Sequence, residues 1–290
     1  MRVGFIGLGD QGGPMARMIV QGGFPLGIWA RRDAVKQQFE GWGAQVADNP
    51  AALAAASDMM CLCVTGDADV RELLVDKGVI AALGKRTLLA IHSTIMPDTC
   101  VEMAQLAAAR GVTLLDMPVS GSGHAALARK LLVMAGGEAP AIARAMPVLE
   151  TYAGTVIRMG DVGAAMNAKL INNLMAVVNI GQAYRALALG KAMGVHPAAL
   201  REALMVGTGR SFAIDLIKRL HVPARADHVR GVLRKDVDLA IGAMPADERG
   251  YWAPLAEVGL DALNVLVSGE VVLLPEKEEE HGEYVVHATA

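Results

Sequence analysis

Short apolar runs recur through the first half of the chain, each bounded by turn residues: "RVGFIGLG" (2–9), "LGIWAR" (26–31), "DMMCLCVT" (58–65), "TLLAIHST" (87–94), "TLLDMPVSG" (113–121), "KLLVMAGG" (130–137) and "GTVIRMG" (154–160). Helix-like stretches fill the gaps at 13–22, 33–41, 97–110 and 139–150. Strands that are apolar throughout are buried on both faces, and alternation with helices predicts βαβ units and a largely parallel sheet. After "GDVG" (160–163) strand signals vanish, and helical periodicity runs over 164–193 without a proline. About 30 residues at 1.5 Å each make roughly 45 Å of helix, a length suited to a rod between domains. "MGVHPAALREAL" (193–204) gives a break and a new helix start, with Pro197 in its first turn. Further helices are expected through "DLIKRL" (215–220) and "HVRGVLRKDVDLAIGAM" (228–244). The charged stretch 275–290 holds little core material and is expected to be a flexible tail, and 245–274 receives no assignment. The pattern therefore divides the chain into an α/β domain over 1–162 and a helical domain over 163–290.

Length changes this picture little, since 290 residues suit a large domain plus a smaller one, or two of comparable size. Hydrophobic residues make up 53% and the mean hydropathy is +0.36, high for a soluble chain, yet no uninterrupted apolar run reaches membrane-spanning length. The excess is assigned to subunit interfaces, predicting a homodimer or homotetramer. A net charge of −3 with scattered lysines and arginines argues against nucleic acid as the main partner and for small molecules or proteins. The N-terminal "MRVGFIGLGD" lacks a signal-peptide pattern, so a cytoplasmic location is expected. Three cysteines make no disulfide framework, and Cys61 and Cys63, two apart on one apolar run, read as core packing rather than metal ligands.

Candidate chemistry begins in the first run, where Gly7-Leu8-Gly9-Asp10-Gln11-Gly12 forms GxGxxG between a strand and a helix. Such glycines permit a tight turn, close approach of the backbone to a pyrophosphate, and helix–strand packing, with the helix N-terminus facing the negative charge. The loop is expected to bind a dinucleotide, with Val64 and Thr65 at the end of the third run beside it. Where an NAD-binding chain carries an acid for the ribose hydroxyl, Ala30 is followed by Arg31 and Arg32, a pair suited to a 2′-phosphate. NADP(H) is expected, with NAD(H) as the alternative. Two other readings stay open: both arginines are solvated at a helix start, or a one-residue shift turns Asp33 toward the ribose.

Four further stretches, "HSTIMP" (92–97), "DMPVSGSGHAA" (116–126), "KLINN" (169–173) and "KDVDLA" (235–240), follow in an order and spacing that resemble the β-hydroxyacid dehydrogenase family. The resemblance runs from residue 1 to about 240. It implies a Rossmann-type domain, a long interdomain helix, and an all-helical C-terminal domain forming much of an oligomer interface, with the active site between the domains. It further implies that Ser120 and Gly121 bind a substrate carboxylate, with Ser122 on its border. Lys169 would then be the catalytic acid/base, Asn173 the substrate holder, Thr94 part of the nicotinamide lining, and Lys235 a cofactor contact. The activity implied is NADP-dependent hydride transfer on a small anionic substrate, a 3-hydroxy acid or its semialdehyde.

The residue types agree with that chemistry on their own terms. Lys169 and Asn173 are spaced i, i+4, so they share one helix face. Hydride transfer to a carbonyl carbon leaves charge on oxygen, which an ammonium stabilises and protonates. The competing reading of Lys169 is a side chain that snorkels to solvent. Departures from the family pattern are Ser122 in place of a glycine, His92 in place of an acid, and Arg129-Lys130 in place of Gly-Thr. His92 is expected to be a hydrogen-bonded core histidine. Two rival functions are an imine reductase, against which the retained Lys169 speaks, and a non-catalytic dinucleotide-binding scaffold.

Overall fold

The structure is a computed structural model that describes residues 1–220 and 223–268. The chain divides into two compact units, Met1–Lys169 and the remainder from Leu170 onward.

The first unit holds nine strands: β1 (Val3–Ile6), β2 (Leu26–Trp29), β3 (Gln45–Val46), β4 (Met59–Leu62), β5 (Leu88–Ile91), β6 (Thr113–Asp116), β7 (Val119–Ser120), β8 (Leu131–Gly136) and β9 (Ala153–Gly160). Its helices are α1 (Gly12–Gln21), α2 (Asp33–Glu40), α3 (Pro50–Ala55), α4 (Asp67–Arg71), α5 (Val79–Ala82), α6 (Pro97–Ala108), α7 (Gly123–Leu127) and α8 (Ala139–Leu149), with a π-helical turn at Glu72–Asp76. The sheet runs in the order β3-β2-β1-β4-β5-β6-β8-β7, with β9 beside β8. All pairs from β3 to β6 are parallel, whereas β8 is antiparallel to β6 and β7 and parallel to β9. Strand residues alternate between two cores, one holding Phe5, Met59, Cys61 and Leu88 with Met15 and Ile19, the other Ile6, Met60, Leu62 and Leu89 with Leu53, Leu74 and Met103. This two-sided burial is why the parallel strands read as unbroken apolar runs.

The expected run 113–121 is two strands. β6 ends at Asp116, Pro118 cannot donate to a ladder, and the chain turns to pair β7 antiparallel with β8. The short elements β3, α3, α4, α5 and α7 went unpredicted because each is too brief to establish a period.

Helix α9 (Ala164–Ala192) begins in the first unit and continues into the second, which adds α10 (Pro197–Val206), α11 (Phe212–Arg219), α12 (Pro223–Ala243) and α13 (Ala246–Ser268). Its core gathers Leu170, Leu174, Val177, Ile180 and Leu187 with Ile214, Ile217, Val237, Leu260 and Leu263. Helices α9 and α13 touch along their backbones, since a Cβ on Gly259 would lie 2.1 Å from the Val177 carbonyl oxygen. Helix α13 falls in the unassigned stretch and carries Pro254 within it, which interrupts the sequence signal without ending the helix. The tail expected over 275–290 lies outside the described residues. Among the described residues no helix is long and apolar enough to cross a membrane.

Candidate functional site

The strand register lines up the carboxyl ends of the parallel strands. Ile6 stands opposite Trp29 and Leu62, Leu62 opposite Ile91, and Ile91 opposite Asp116. The loops that follow β1, β2, β4, β5 and β6 therefore leave from one edge, and β1 lies between β2 and β4, where the strand order reverses. In open α/β sheets that edge binds ligands.

The loop Gly7–Gln11 occupies this position and leads into α1 at Gly12. Gly7 has φ +96°, and a Cβ there would lie 2.1 Å from the Cys63 carbonyl oxygen. A Cβ on Gly12 would lie 2.0 Å from the Gly7 carbonyl oxygen, whereas one on Gly9 would meet nothing within 4 Å. The first and third glycines thus permit the turn and the helix–strand packing, and the second leaves its outer side open. This cradle fits a dinucleotide pyrophosphate over the N-terminus of a ten-residue helix.

Arg31 and Arg32 follow β2 and are exposed, Arg32 at the N-cap of α2. Asp33 begins that helix, and its carboxylate accepts a hydrogen bond from Lys36 Nζ at 2.8 Å, which lowers its pKa. Val64 donates its N–H to Ser93 Oγ at 2.7 Å, so the loop carrying Val64 and Thr65 is tied to the one carrying Thr94. Asp67 Oδ1 ties the same loops again by accepting from the Met96 N–H at 3.0 Å. Neither Ser93 nor Asp67 was singled out in the sequence, because their partners lie 29 residues away.

Ser120 ends β7, paired with Leu132, and Gly121 follows with φ +125°. The segment then packs onto the glycine loop: a Cβ on Gly123 would lie 2.5 Å from the Asp10 carbonyl oxygen and 2.9 Å from Pro14 Cγ. The first unit thereby brings Ser120, Gly121 and Ser122 beside the loop Gly7–Gly12.

Asp116, the last residue of β6, is fully buried, and its Oδ2 accepts from the Met166 N–H at 3.0 Å. Burial raises its pKa, opposed by hydrogen bonds from the backbone at Gly163, Met166 and Ala165. A buried carboxylate at the first turn of α9 stabilises that helix start, three residues before Lys169. The acid is visible in "DMPVSG", but nothing local shows that it caps a helix 50 residues on.

In the second unit Asn173 is buried, donating from Nδ2 to Asp236 Oδ2 and accepting at Oδ1 from Asn172 Nδ2 at 3.0 Å. Lys235 Nζ lies 3.1 Å from Asp236 Oδ1. Asn173 and Lys235 are thus joined through Asp236, which the sequence did not mark out. Lys235 itself belongs to the second unit and the glycine loop to the first.

His92 is the buried core histidine expected. Its Nδ1 lies 2.7 Å from the Met117 carbonyl oxygen and its Nε2 3.3 Å from the Tyr152 hydroxyl, while its ring stacks with Phe5 at 6.3 Å. Burial pushes its pKa down to about 4. Cys61 is fully buried, which raises its thiol pKa and leaves it inert. Among the described residues no group of His, Cys, Asp and Glu could hold a metal ion.

Residues 2–160 match the family model for the NAD binding domain of 6-phosphogluconate dehydrogenase, and residues 163–274 match that for the NAD-binding region of NADP-dependent 3-hydroxyisobutyrate dehydrogenase. A 3-hydroxyisobutyrate dehydrogenase of Pseudomonas aeruginosa is 33% identical, over 82% of this chain and 84% of that protein. An NAD-dependent L-serine dehydrogenase of the same organism is 31% identical, over 92% of each. Among solved structures, Mycobacterium tuberculosis 3-hydroxyisobutyrate dehydrogenase with L-serine superposes with TM-score 0.78 at 28% identity, covering 92% of both chains.

Proposed function

The chain belongs to the β-hydroxyacid dehydrogenase family, and on that premise we propose that it transfers a hydride between NADP(H) and a small 3-hydroxy acid or its semialdehyde. The relatives are a 3-hydroxyisobutyrate dehydrogenase and an NAD-dependent L-serine dehydrogenase, and the family models that match both units are of NAD-binding regions, which supports nicotinamide-dependent hydride transfer. The finer assignment rests on this chain's own residues. One observation carries it: Gly123 packs against Asp10 and Pro14, so the segment Ser120–Ser122 is adjacent to the dinucleotide loop.

Bound nicotinamide supplies the hydride acceptor or donor. In the oxidative direction Lys169 takes the hydroxyl proton as the hydride leaves carbon, and in the reductive direction it returns that proton to the oxygen on which charge develops. The Ser120 hydroxyl and the Gly121 backbone hold the substrate carboxylate, with Ser122 at its border. Asn173, one turn beyond Lys169 on α9, holds the substrate, and Asp236 fixes the direction of its amide. Gly7, Leu8, Gly9, Asp10, Gln11 and Gly12 hold the pyrophosphate, Val64, Thr65 and Thr94 border the cofactor, and Lys235 approaches it.

Arg31 and Arg32 favour the 2′-phosphate of NADP(H), and the exposed Asp33 carboxylate, the alternative ribose partner, is hydrogen-bonded by Lys36 Nζ. A charge-assisted contact to phosphate contributes about 1.5–3 kcal/mol. Arg31→Ala is therefore expected to weaken NADP(H) by that amount and leave NAD(H) nearly untouched, as measured by fluorescence titration. Equal affinities for the two cofactors in the wild type would overturn the preference.

The activity test is the absorbance of reduced nicotinamide with panels of 3-hydroxy acids and semialdehydes, run beside a panel of cyclic imines. Turnover of the hydroxy acids or semialdehydes supports the proposal. Turnover of imines alone would make the chain an imine reductase, and cofactor binding without any turnover would make it a scaffold.

A homodimer or homotetramer is proposed as well, with the second unit supplying the interface. The described large apolar side chains that are 60% or more exposed, Ile171, Leu189, Met193, Val206, Phe212 and Tyr251, all belong to that unit, and an excess of exposed apolar surface on one unit favours association there. Light scattering at micromolar concentration is expected to give two or four times the 30.4 kDa chain mass. A monomer would refute it.

A further inference from the structure

Met117 and Pro118 form the crossover that carries the chain from β6 into β7. The Met117 N–H donates to the Ile91 carbonyl at 2.8 Å, extending the β5–β6 ladder by one residue. The peptide that follows has no N–H, because Pro118 occupies its far side, so its one polar group is the Met117 carbonyl. That carbonyl lies 2.7 Å from His92 Nδ1. A carbonyl only accepts, so Nδ1 carries the proton, Nε2 is the acceptor, and the Tyr152 hydroxyl donates to it at 3.3 Å. The tautomer is thereby set by the two partners, and burial keeps the ring neutral.

The position of this imidazole in the chain gives the contact its consequence. Immediately after His92 come Ser93, whose Oγ accepts from Val64, and Thr94. Shortly after Met117 comes Ser120, paired with Leu132 of β8. One side chain therefore ties the loop bearing Thr94 to the crossover that delivers Ser120.

We propose that His92 is a positioning residue for hydride transfer: by holding the Met117 carbonyl it sets Ser120 at a fixed offset from Thr94. The inference rests on the assignments of Ser120 to the substrate carboxylate and Thr94 to the nicotinamide side. Hydride transfer is sensitive to alignment, and a misplacement of about 1 Å can cost on the order of a hundredfold in rate. The imidazole touches neither substrate nor cofactor in this proposal, and its effect is on the loops.

Three substitutions separate positioning from packing. His92→Leu removes the donor, His92→Asn keeps an N–H donor at the δ position, and His92→Gln moves that donor one bond further out. For each, kcat, KM for the best hydroxy acid, NADP(H) affinity and thermal midpoint are measured well below the unfolding range. His92→Leu and His92→Gln are expected to lower kcat roughly ten- to a hundredfold, with NADP(H) affinity within a few-fold of wild type. His92→Asn is expected to recover most of kcat even where its thermal midpoint falls as far as that of His92→Gln. If His92→Leu is not recovered folded, His92→Gln against His92→Asn decides the matter. Wild-type kcat in His92→Gln, or losses in all variants that follow thermal stability alone, would overturn the inference. Ser120→Ala and Lys169→Ala are assayed alongside. Wild-type turnover in both would sink the site assignment itself, whereas loss in both with full activity in His92→Gln would sink only the role of His92.

Discussion

Lys169→Ala is expected to lower kcat by about 10²–10⁴-fold, the usual contribution of a positioned general acid or base. NADP(H) affinity is expected to stay within a few-fold, because the glycine loop and the residues after β2 are intact in the variant. Lys169 is half-buried on a helix whose first turn is held by buried Asp116, so the lost side chain leaves the rest of α9 in place. The loss should fall on kcat and kcat/KM alike, since stabilising charge on the reacting oxygen matters mainly in the transition state. The pH profile provides a second readout. The wild type loses rate where Lys169 is in the wrong protonation state, and that limb is expected to vanish in the alanine variant. Wild-type turnover on the best substrate would return Lys169 to the role of a side chain that snorkels to solvent.

Acid is expected to destabilise the first unit through His92. Its pKa falls from the usual 6.5 to about 4 on folding, so between those values the unfolded chain binds the additional proton. Stability from this group is complete above about pH 6.5 and is lost progressively as pH falls through 4. A shift of that size corresponds to roughly 3 kcal/mol. Asp116 moves in the opposite sense, because burial raises its pKa and favours the protonated folded form. The difference in unfolding free energy between wild type and His92→Asn isolates the histidine, both chains sharing Asp116. Wild type is expected to lose stability relative to the variant between pH 6.5 and 4. Parallel curves would show that His92 is not held neutral by burial.

His92 also marks how far local pattern reaches. An isolated histidine that directly follows the apolar run "TLLAI" reads correctly as a core residue, because such a run belongs to a strand covered on both faces of the sheet. Its partners Met117 and Tyr152 lie 25 and 60 residues away, beyond any periodicity. Asp116 and Asp236 follow the same rule. Each is an unremarkable acid in sequence, and each becomes informative once a partner from a distant element reaches it, Met166 for the first and Asn173 for the second.

What the sequence by itself determined is what short-range physics controls. Uninterrupted apolar runs required strands covered on both faces, a proline-free periodic stretch required the long helix, and the glycines at 7, 9 and 12 required a turn that side chains at 7 and 12 would obstruct, with the outer side at 9 left open. Those signals sufficed for the α/β class and the dinucleotide loop. Tertiary structure alone decided where β6 gives way to β7, which loops Ser93 and Asp67 tie together, that Gly123 rests on Asp10, and that Pro254 lies inside a helix. Those outcomes depend on contacts between residues far apart in the chain, whose energies are set by burial and by the pairing of buried polar groups. Neither quantity exists until the chain has closed around them.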